Sequence, residues 1–333
     1  MPNLALMPYL AEFELHYIGR PNSMEEELVK KHFPHIIYHA LDCVKLQRKL
    51  TLKNLLIPFI LFSSIRKAKR ILREIQPNVI FSKGGFVALP VMRASKGFPL
   101  ILHESDYSMG LANRMGARKS TVVCTSFSSL AEKIKRGLHT GAPLRPEIYR
   151  GNKQIAERES GLHGRTNLLI TGGSLGATAL NEAVYSNLDE LCKQFDIVHL
   201  VGKNNKKLIT RPHYYQIPFS NNIADYFAWA DLCITRGGAN ALFELVALKI
   251  PSLVVPLPKG ISRGDQVDNA NYFKALGCVK VLSQETITQD PTQLVKELTA
   301  LRLEKNKFIE NCKAQKNIDG TEKIVQTILS NIT

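Results

Sequence analysis

The segment Thr171-Gly172-Gly173-Ser174-Leu175-Gly176-Ala177 follows an apolar run and opens a stretch with helical spacing. Glycines let a backbone come close to a pyrophosphate. A helix N-terminus adds free N–H groups and a partial positive charge. Ser174 can supply a hydroxyl donor beside Gly173; a plain strand-to-helix turn is the competing reading. The motif is not G-x-G-x-x-G, and Asp196 opens the next expected strand rather than ending it, which argues against a nicotinamide dinucleotide.

Two further strand-to-helix passages carry polar groups. Thr235-Arg236-Gly237-Gly238-Ala239-Asn240 is followed on the same expected helix by Glu244. A carboxylate there can accept from both hydroxyls of a ribose, or it is simply a solvated helix residue. Pro256-Leu257-Pro258-Lys259-Gly260 leads to Arg263, Gln266 and Asn269. The two amides can read sugar hydroxyls; Arg263 can hold phosphate or serve as a surface charge. Nearer the start lie Ser82-Lys83-Gly84-Gly85-Phe86, then His103-Glu104-Ser105-Asp106, then Gly110-Leu111-Ala112-Asn113-Arg114. A histidine and a carboxylate at one strand end can do acid–base work, or they can be structural.

The elements that must position these groups alternate between short β-rich runs and helical stretches. Strands are expected at 14–18, 35–39, 78–82, 99–103 and 121–124, then at 167–171, 196–201, 232–235, 252–256 and 279–282. Helices are expected at 24–32, 88–96, 177–195, 239–248, 266–276 and 291–301. Several strands are rich in Val, Ile and Leu, as strands covered on both faces should be. The βαβ rhythm implies parallel sheets with right-handed crossovers. Gly141-Ala142-Pro143-Leu144-Arg145-Pro146 interrupts it and reads as a linker. The expected architecture is α/β: two doubly wound domains facing across a cleft, with ligands outside the carboxyl ends of the strands. The expected boundaries are 1–142, 143–310, and a tail, 311–333, that packs back on the first domain.

The chain has 333 residues, 44% hydrophobic and 22% charged, and a formal net charge of +15. That composition excludes extensive disorder, and the charge favours an anionic partner. Between Lys45 and Arg73 lie nine basic residues and no acidic one, with the apolar run 55–62 among them. Basic residues flanking apolar ones suit a surface that dips into anionic lipid, or an ordinary helix with a basic solvated side. Aromatic residues are not interleaved with the basic ones, so nucleic acid is a poor fit. Six scattered cysteines read as reduced thiols of a cytoplasmic protein and not as a zinc site. No signal peptide is expected, and the longest apolar run is too short to span a bilayer.

In this order the motifs resemble the MurG family of peptidoglycan glycosyltransferases, within glycosyltransferase family 28. The resemblance rests on 1–6, 81–87, 103–106, 110–113, 172–177 and 230–269. It implies a GT-B fold of two Rossmann-like domains. It also implies an inverting, metal-free and cofactor-independent transfer of N-acetylglucosamine from UDP to an undecaprenyl-linked muramoyl-pentapeptide acceptor. The enzyme is expected to be peripheral on the cytoplasmic face of the bacterial plasma membrane. The resemblance implies that Arg145, Gly173 and Ser174 hold the donor diphosphate, Glu244 the ribose and Gln266 the sugar, with Asn269 and Asn113 nearby. His103 and Glu104 fall on the acceptor side as catalytic candidates. Leu55, Phe59 and Phe62 fall in the region expected to touch membrane.

Family members open with a strand and a Gly-rich loop ending in the histidine that is the leading general-base candidate. The sequence here opens at the segment that follows it, so that histidine is expected upstream of Met1. A copy that binds UDP-sugar without efficient transfer is the alternative, and a 2-epimerase of the same fold is a third reading.

Overall fold

The computed structural model describes residues 2–43, 57–173, 176–205, 207–260 and 263–332. They form two compact units: Met1–Arg145 with Asp319–Thr333, and Pro146–Ile318.

The first unit contains β1 (His16–Gly19), β2 (Ile37–Ala40), β3 (Ile80–Ser82), β4 (Leu100–Glu104), β5 (Val122–Thr125) and β6 (Gly137–His139). All pairings are parallel. β1 pairs with β2, and a separate four-stranded sheet runs β3-β4-β5-β6. Strand β4 is buried along its whole length, as its near-continuous Leu-Ile-Leu run predicts for a strand covered on both faces. Strand β6 escapes sequence reading because it is three residues long and opens on glycine.

Helix Ile57–Ile75 packs Ser64, Ala68, Ile71 and Leu72 inward, one stripe at helical spacing. Ala68 and Leu72 join Ile80, Val91, Met92, Leu100 and Leu102 in one core. On the other side of the sheet, Ile324, Val325 and Ile328 of helix Thr321–Leu329 pack with Leu6, Leu10, Ile101 and Cys124. Each such aliphatic group contributes about 1.5–3 kcal/mol when fully buried. The turn before that helix is fixed by Gly320 N donating to Ala142 O at 2.7 Å and Leu144 N donating to Thr321 Oγ1 at 2.9 Å. A Cβ on Gly320 would lie 2.6 Å from the Gly141 carbonyl carbon, so only glycine passes there.

The second unit contains β7 (Thr166–Thr171), β8 (Phe195–Leu200), β9 (Tyr214–Ile217), β10 (Leu232–Thr235), β11 (Ser252–Val254) and β12 (Val279–Val281). They form one parallel sheet in the order β12-β11-β10-β7-β8-β9. Counted within the unit this is the doubly wound order, with its topological switch between β7 and β10. Leu168, Leu169, Ile170, Ile197, Val198, Leu232 and Ile234 are fully buried in the sheet. Strand β9 escapes sequence reading because it is a half-buried edge with Tyr215 and Gln216 at its centre.

The expected 177–195 helix is two helices, Thr178–Ser186 and Leu188–Gln194. Asn187 divides them: its amide donates to Ala183 O at 2.8 Å and Pro291 O at 2.9 Å, competing with the helical ladder. The expected tail boundary also shifts. Helix Lys305–Lys313 stays with the second unit because Phe308 packs in that unit's core, so the return to the first unit begins at Asp319.

Candidate active site

In the second unit the loops after β7 and β10 flank the switch point, where open α/β sheets bind ligands. After β7, Gly173 and Gly176 adopt φ of +89° and +87°. A Cβ on Gly176 would lie 2.3 Å from Val201 O, so the loop is pressed against the end of β8, while nothing lies within 4 Å of the Cβ position of Gly173. Ser174 and Leu175 lie outside the described residues. Helix Thr178–Ser186 begins directly after the loop and supplies the N-terminal donors.

After β10, a Cβ on Gly237 would lie 2.3 Å from Gln266 O, which keeps this turn close to helix Asp265–Ala275. Gln266 Oε1 accepts from Leu257 N at 3.0 Å. Its carbonyl end is therefore committed to the loop after β11, and its amino end is the part that can donate to a ligand. Asn269 is fully buried and its amide donates to Gly237 O at 3.2 Å. Asn269, an expected sugar reader, braces the turn after β10 in this structure. Glu244 is half-buried on helix Ala239–Ala247, among Leu242, Phe243, Leu245 and Val246, which are buried. Arg263 pairs with Asp265 at 3.0 Å on the surface. Arg145 is half-buried and closes the first unit's main segment.

A buried network supports the loop after β7, and sequence reading missed it. His199 lies 2.8 Å from Tyr214 Oη and 3.2 Å from Asn181 Oδ1, and Asn181 Nδ2 donates to Val201 O. Burial pushes the His199 imidazole down to about 3, so the ring is neutral in the folded protein. From the ordinary histidine value of 6.5 down to about 3, the unfolded chain binds a proton that the folded chain does not. Stability is thus lost as pH falls through that window. Urea titrations of His199→Gln should show a flatter decline over the same range; an unchanged slope would contradict the assignment.

In the first unit, β3 and β4 end side by side and deliver the other loops. His103 is fully buried, with Nδ1 2.7 Å from Lys83 Nζ and Nε2 3.1 Å from Gly141 O. Burial and the neighbouring Lys83 hold the imidazole well below its usual value. Both ring nitrogens have partners, so in this structure His103, an expected acid–base candidate, ties the end of β4 to Lys83 and Gly141. Glu104 is also buried: it accepts from Asp106 N at 3.2 Å, Gly110 N at 2.9 Å and Asn113 Nδ2 at 2.9 Å. Its carboxylate organises the 105–110 loop. Asn113 is almost fully buried, and it also donates to His103 O at 3.1 Å. Its amino group thus supports this loop, while its Oδ1 is buried without a hydrogen-bond partner among the described residues.

On helix Ile57–Ile75, Phe59 is 75% and Phe62 is 62% exposed, with the Arg66 guanidinium 5.8 Å from the Phe62 ring centroid. Lys67, Lys69, Arg70 and Arg73 of the same helix are exposed. Leu55, Lys45, Arg48, Lys49 and Lys53 lie outside the described residues. No helix among the described residues is long and apolar enough to cross a membrane.

The chain matches known proteins in sequence and in fold. The family described as glycosyltransferase family 28 C-terminal domain matches residues 167–328, and its N-terminal domain matches residues 1–125. A relative from Clostridium kluyveri is 40% identical over 98% of this chain and 94% of its own length. It is named UDP-N-acetylglucosamine–N-acetylmuramyl-(pentapeptide) pyrophosphoryl-undecaprenol N-acetylglucosamine transferase. A relative of the same name from Lachnospira eligens is 38% identical over 99% of this chain and 95% of its own length. The chain belongs to the MurG family. The crystal structure of Acinetobacter baumannii MurG matches with a TM-score of 0.74 and 25% identity, covering 99% of this chain and 95% of that one. The glycosyltransferase of kitacinnamycin, 14% identical with a TM-score of 0.70 over 100% of this chain and 95% of its own, shares the fold. The fold is GT-B, built from two parallel-sheet α/β units.

Proposed function

We propose that this MurG-family chain transfers N-acetylglucosamine from UDP-N-acetylglucosamine to the muramoyl sugar of an undecaprenyl-linked pentapeptide diphosphate, a step of peptidoglycan synthesis. The carrying observation is 40% identity over 98% of the chain to a relative bearing that activity in its name. The second unit holds the donor. The Gly172–Gly176 loop, Ser174 and the following helix N-terminus receive the diphosphate, and Arg145 adds positive charge. Preorganised donors aimed at the leaving diphosphate stabilise the charge that develops there. Glu244 accepts from the ribose hydroxyls, and the amino end of Gln266 donates to the sugar. The reaction inverts the anomeric carbon: the acceptor hydroxyl attacks and UDP leaves from the opposite face.

The test is transfer of labelled sugar from UDP-N-acetylglucosamine to a short-chain analogue of the lipid acceptor, with other UDP-sugars as competitors. A β-linked disaccharide product is expected. Preference for a different sugar, or epimerisation of the donor without transfer, would refute the assignment.

The lipid acceptor requires contact with a bilayer, and helix Ile57–Ile75 supplies exposed aromatics beside exposed cations. It lies against the anionic cytoplasmic leaflet of the plasma membrane, apolar groups inserted and cations at the headgroups. Binding to phosphatidylglycerol vesicles should fall as salt rises, because exposed charges are screened over about 10 Å at 0.1 M. Phe59→Ser with Phe62→Ser should reduce vesicle binding severalfold and leave UDP affinity unchanged. Salt-insensitive binding to neutral vesicles would contradict this.

A further inference from the structure

Arg236 carries no role so far, yet it stands where three strands end level. Thr235 of β10 pairs with Thr171 of β7 on one side and with Val254 of β11 on the other. Arg236, the next residue, therefore leaves the sheet between the Gly172–Gly176 loop and the loop after β11. It does so at the switch point of the second unit. The backbone around it is fixed. Val255 N donates to Thr235 O at 2.8 Å, and Asn269 Nδ2 donates to Gly237 O at 3.2 Å. Nothing lies within 4 Å of the Cβ positions of Gly173 and Gly238, so both turns are open on that side.

The Arg236 side chain is half-buried. Its Nη1 donates to Val255 O at 3.0 Å, the one hydrogen bond this side chain makes among the described residues. A guanidinium has several further N–H donors and stays charged at neutral pH. Burial holds Arg236 below the usual arginine value, and no carboxylate among the described residues acts against it. The cations of the loop after β11 are matched instead: Lys259 faces Asp268 at 3.5 Å and Arg263 faces Asp265 at 3.0 Å. A cation taken part-way out of water without a counter-charge raises the free energy of the empty protein. An anion that reaches it offsets that cost. The planar N–H edges of arginine match phosphate oxygens in pairs.

We propose that Arg236 binds the diphosphate of the donor, as a cation that the second unit itself carries to its strand ends. The proposal rests on the donor reading of this unit for the identity of the anion. Nη1 stays on Val255 O, and the remaining N–H groups take phosphate oxygens. When the bond from the anomeric carbon to the diphosphate oxygen breaks, its electron pair stays on UDP. A cation already fixed at that place stabilises the added charge.

The test is titration of the full chain with UDP by calorimetry and with uridine by ligand-observed NMR. Arg236→Gln should bind UDP roughly 10- to 150-fold more weakly, the loss of a charge-assisted hydrogen bond, and should bind uridine as the wild type does. Arg236→Lys keeps a charge without the paired N–H geometry and should fall between the two for UDP. Wild-type affinity for UDP should drop as salt rises, and that of Arg236→Gln should drop less. A side chain that only braces the loop after β11 gives another pattern. Arg236→Gln then loses UDP and uridine affinity equally, or melts lower and keeps its UDP affinity; either result overturns the proposal. If Arg236→Gln does not fold, Arg236→Lys decides by the same comparison: a loss confined to UDP supports the contact, and equal changes for both ligands remove it. The two readings fail separately. A folded wild-type chain that binds neither ligand counts against the donor reading. Inorganic pyrophosphate then decides the anion contact: a rise in wild-type melting temperature that the variant lacks retains it, and equal responses remove it.

Discussion

Glu244→Ala should weaken UDP binding by roughly 10- to 150-fold, the loss expected when a charge-assisted hydrogen bond of about 1.5–3 kcal/mol is removed. The side chain is half-buried on a helix whose neighbouring positions pack in the core, so the carboxylate is held in place rather than free in solvent. The effect should be the same for UDP and UDP-N-acetylglucosamine, because the ribose is common to both. Gln266→Ala should behave differently. Its amino end is assigned to the sugar, so UDP-N-acetylglucosamine should lose more affinity than UDP. Its carbonyl end also fixes Leu257 N at 3.0 Å, which sets a smaller, shared loss for both ligands. Calorimetry with the two ligands separates these contributions. Equal losses in the Gln266 variant would remove the sugar contact.

Glu104→Ala should cost stability first. Three donors, Asp106 N, Gly110 N and Asn113 Nδ2, would lose their acceptor in a buried place. Each such loss costs about 1–3 kcal/mol, so the first unit should lose roughly 3 kcal/mol or more. For a unit of this size, that is a fall in melting temperature of roughly 6–12 °C. Glu104→Gln can keep an oxygen at the Oε2 position, facing Gly110 N and Asn113, and should lose less. A direct acid–base role predicts the reverse: both variants stable, and both inactive. Thermal unfolding followed by transfer kinetics at a temperature where all variants are folded distinguishes a brace from a reacting group.

The comparison of sequence with structure turns on what a side chain's neighbours are. The strand-loop-helix passages at 171–177 and 235–240 were legible because a buried apolar run, glycines and a helical stretch occur in that order. The doubly wound second unit follows from the same rhythm. Strands β6 and β9 were not legible, since one is three residues long and the other is polar at its centre. Asn187 looks like any polar helix residue until its amide is seen bonded to Pro291 O, far away in sequence. Residue type alone does not show the burial of His103, Glu104, Asn113 and Asn269. Each is a reactive or sugar-reading type at a strand end or on a loop-flanking helix, and each is buried with bonds to the backbone or to a neighbouring side chain, while Asn113 Oδ1 is buried without a hydrogen-bond partner among the described residues. Nothing in the sequence around Lys83 signals its setting, which only the distances to His103 and Ser105 reveal.

The central claim is that the loops after β7 and β10 make the second unit a UDP-sugar site. Titration calorimetry of the folded chain with UDP, and then with UDP-N-acetylglucosamine, tests it most directly, because it depends on neither the acceptor nor the bilayer. The account predicts one site per chain, binding of both ligands, and roughly 10- to 150-fold weaker binding of both in Glu244→Ala. A folded protein that takes up neither ligand at millimolar concentration, or that binds both equally well with Glu244 replaced, would contradict it.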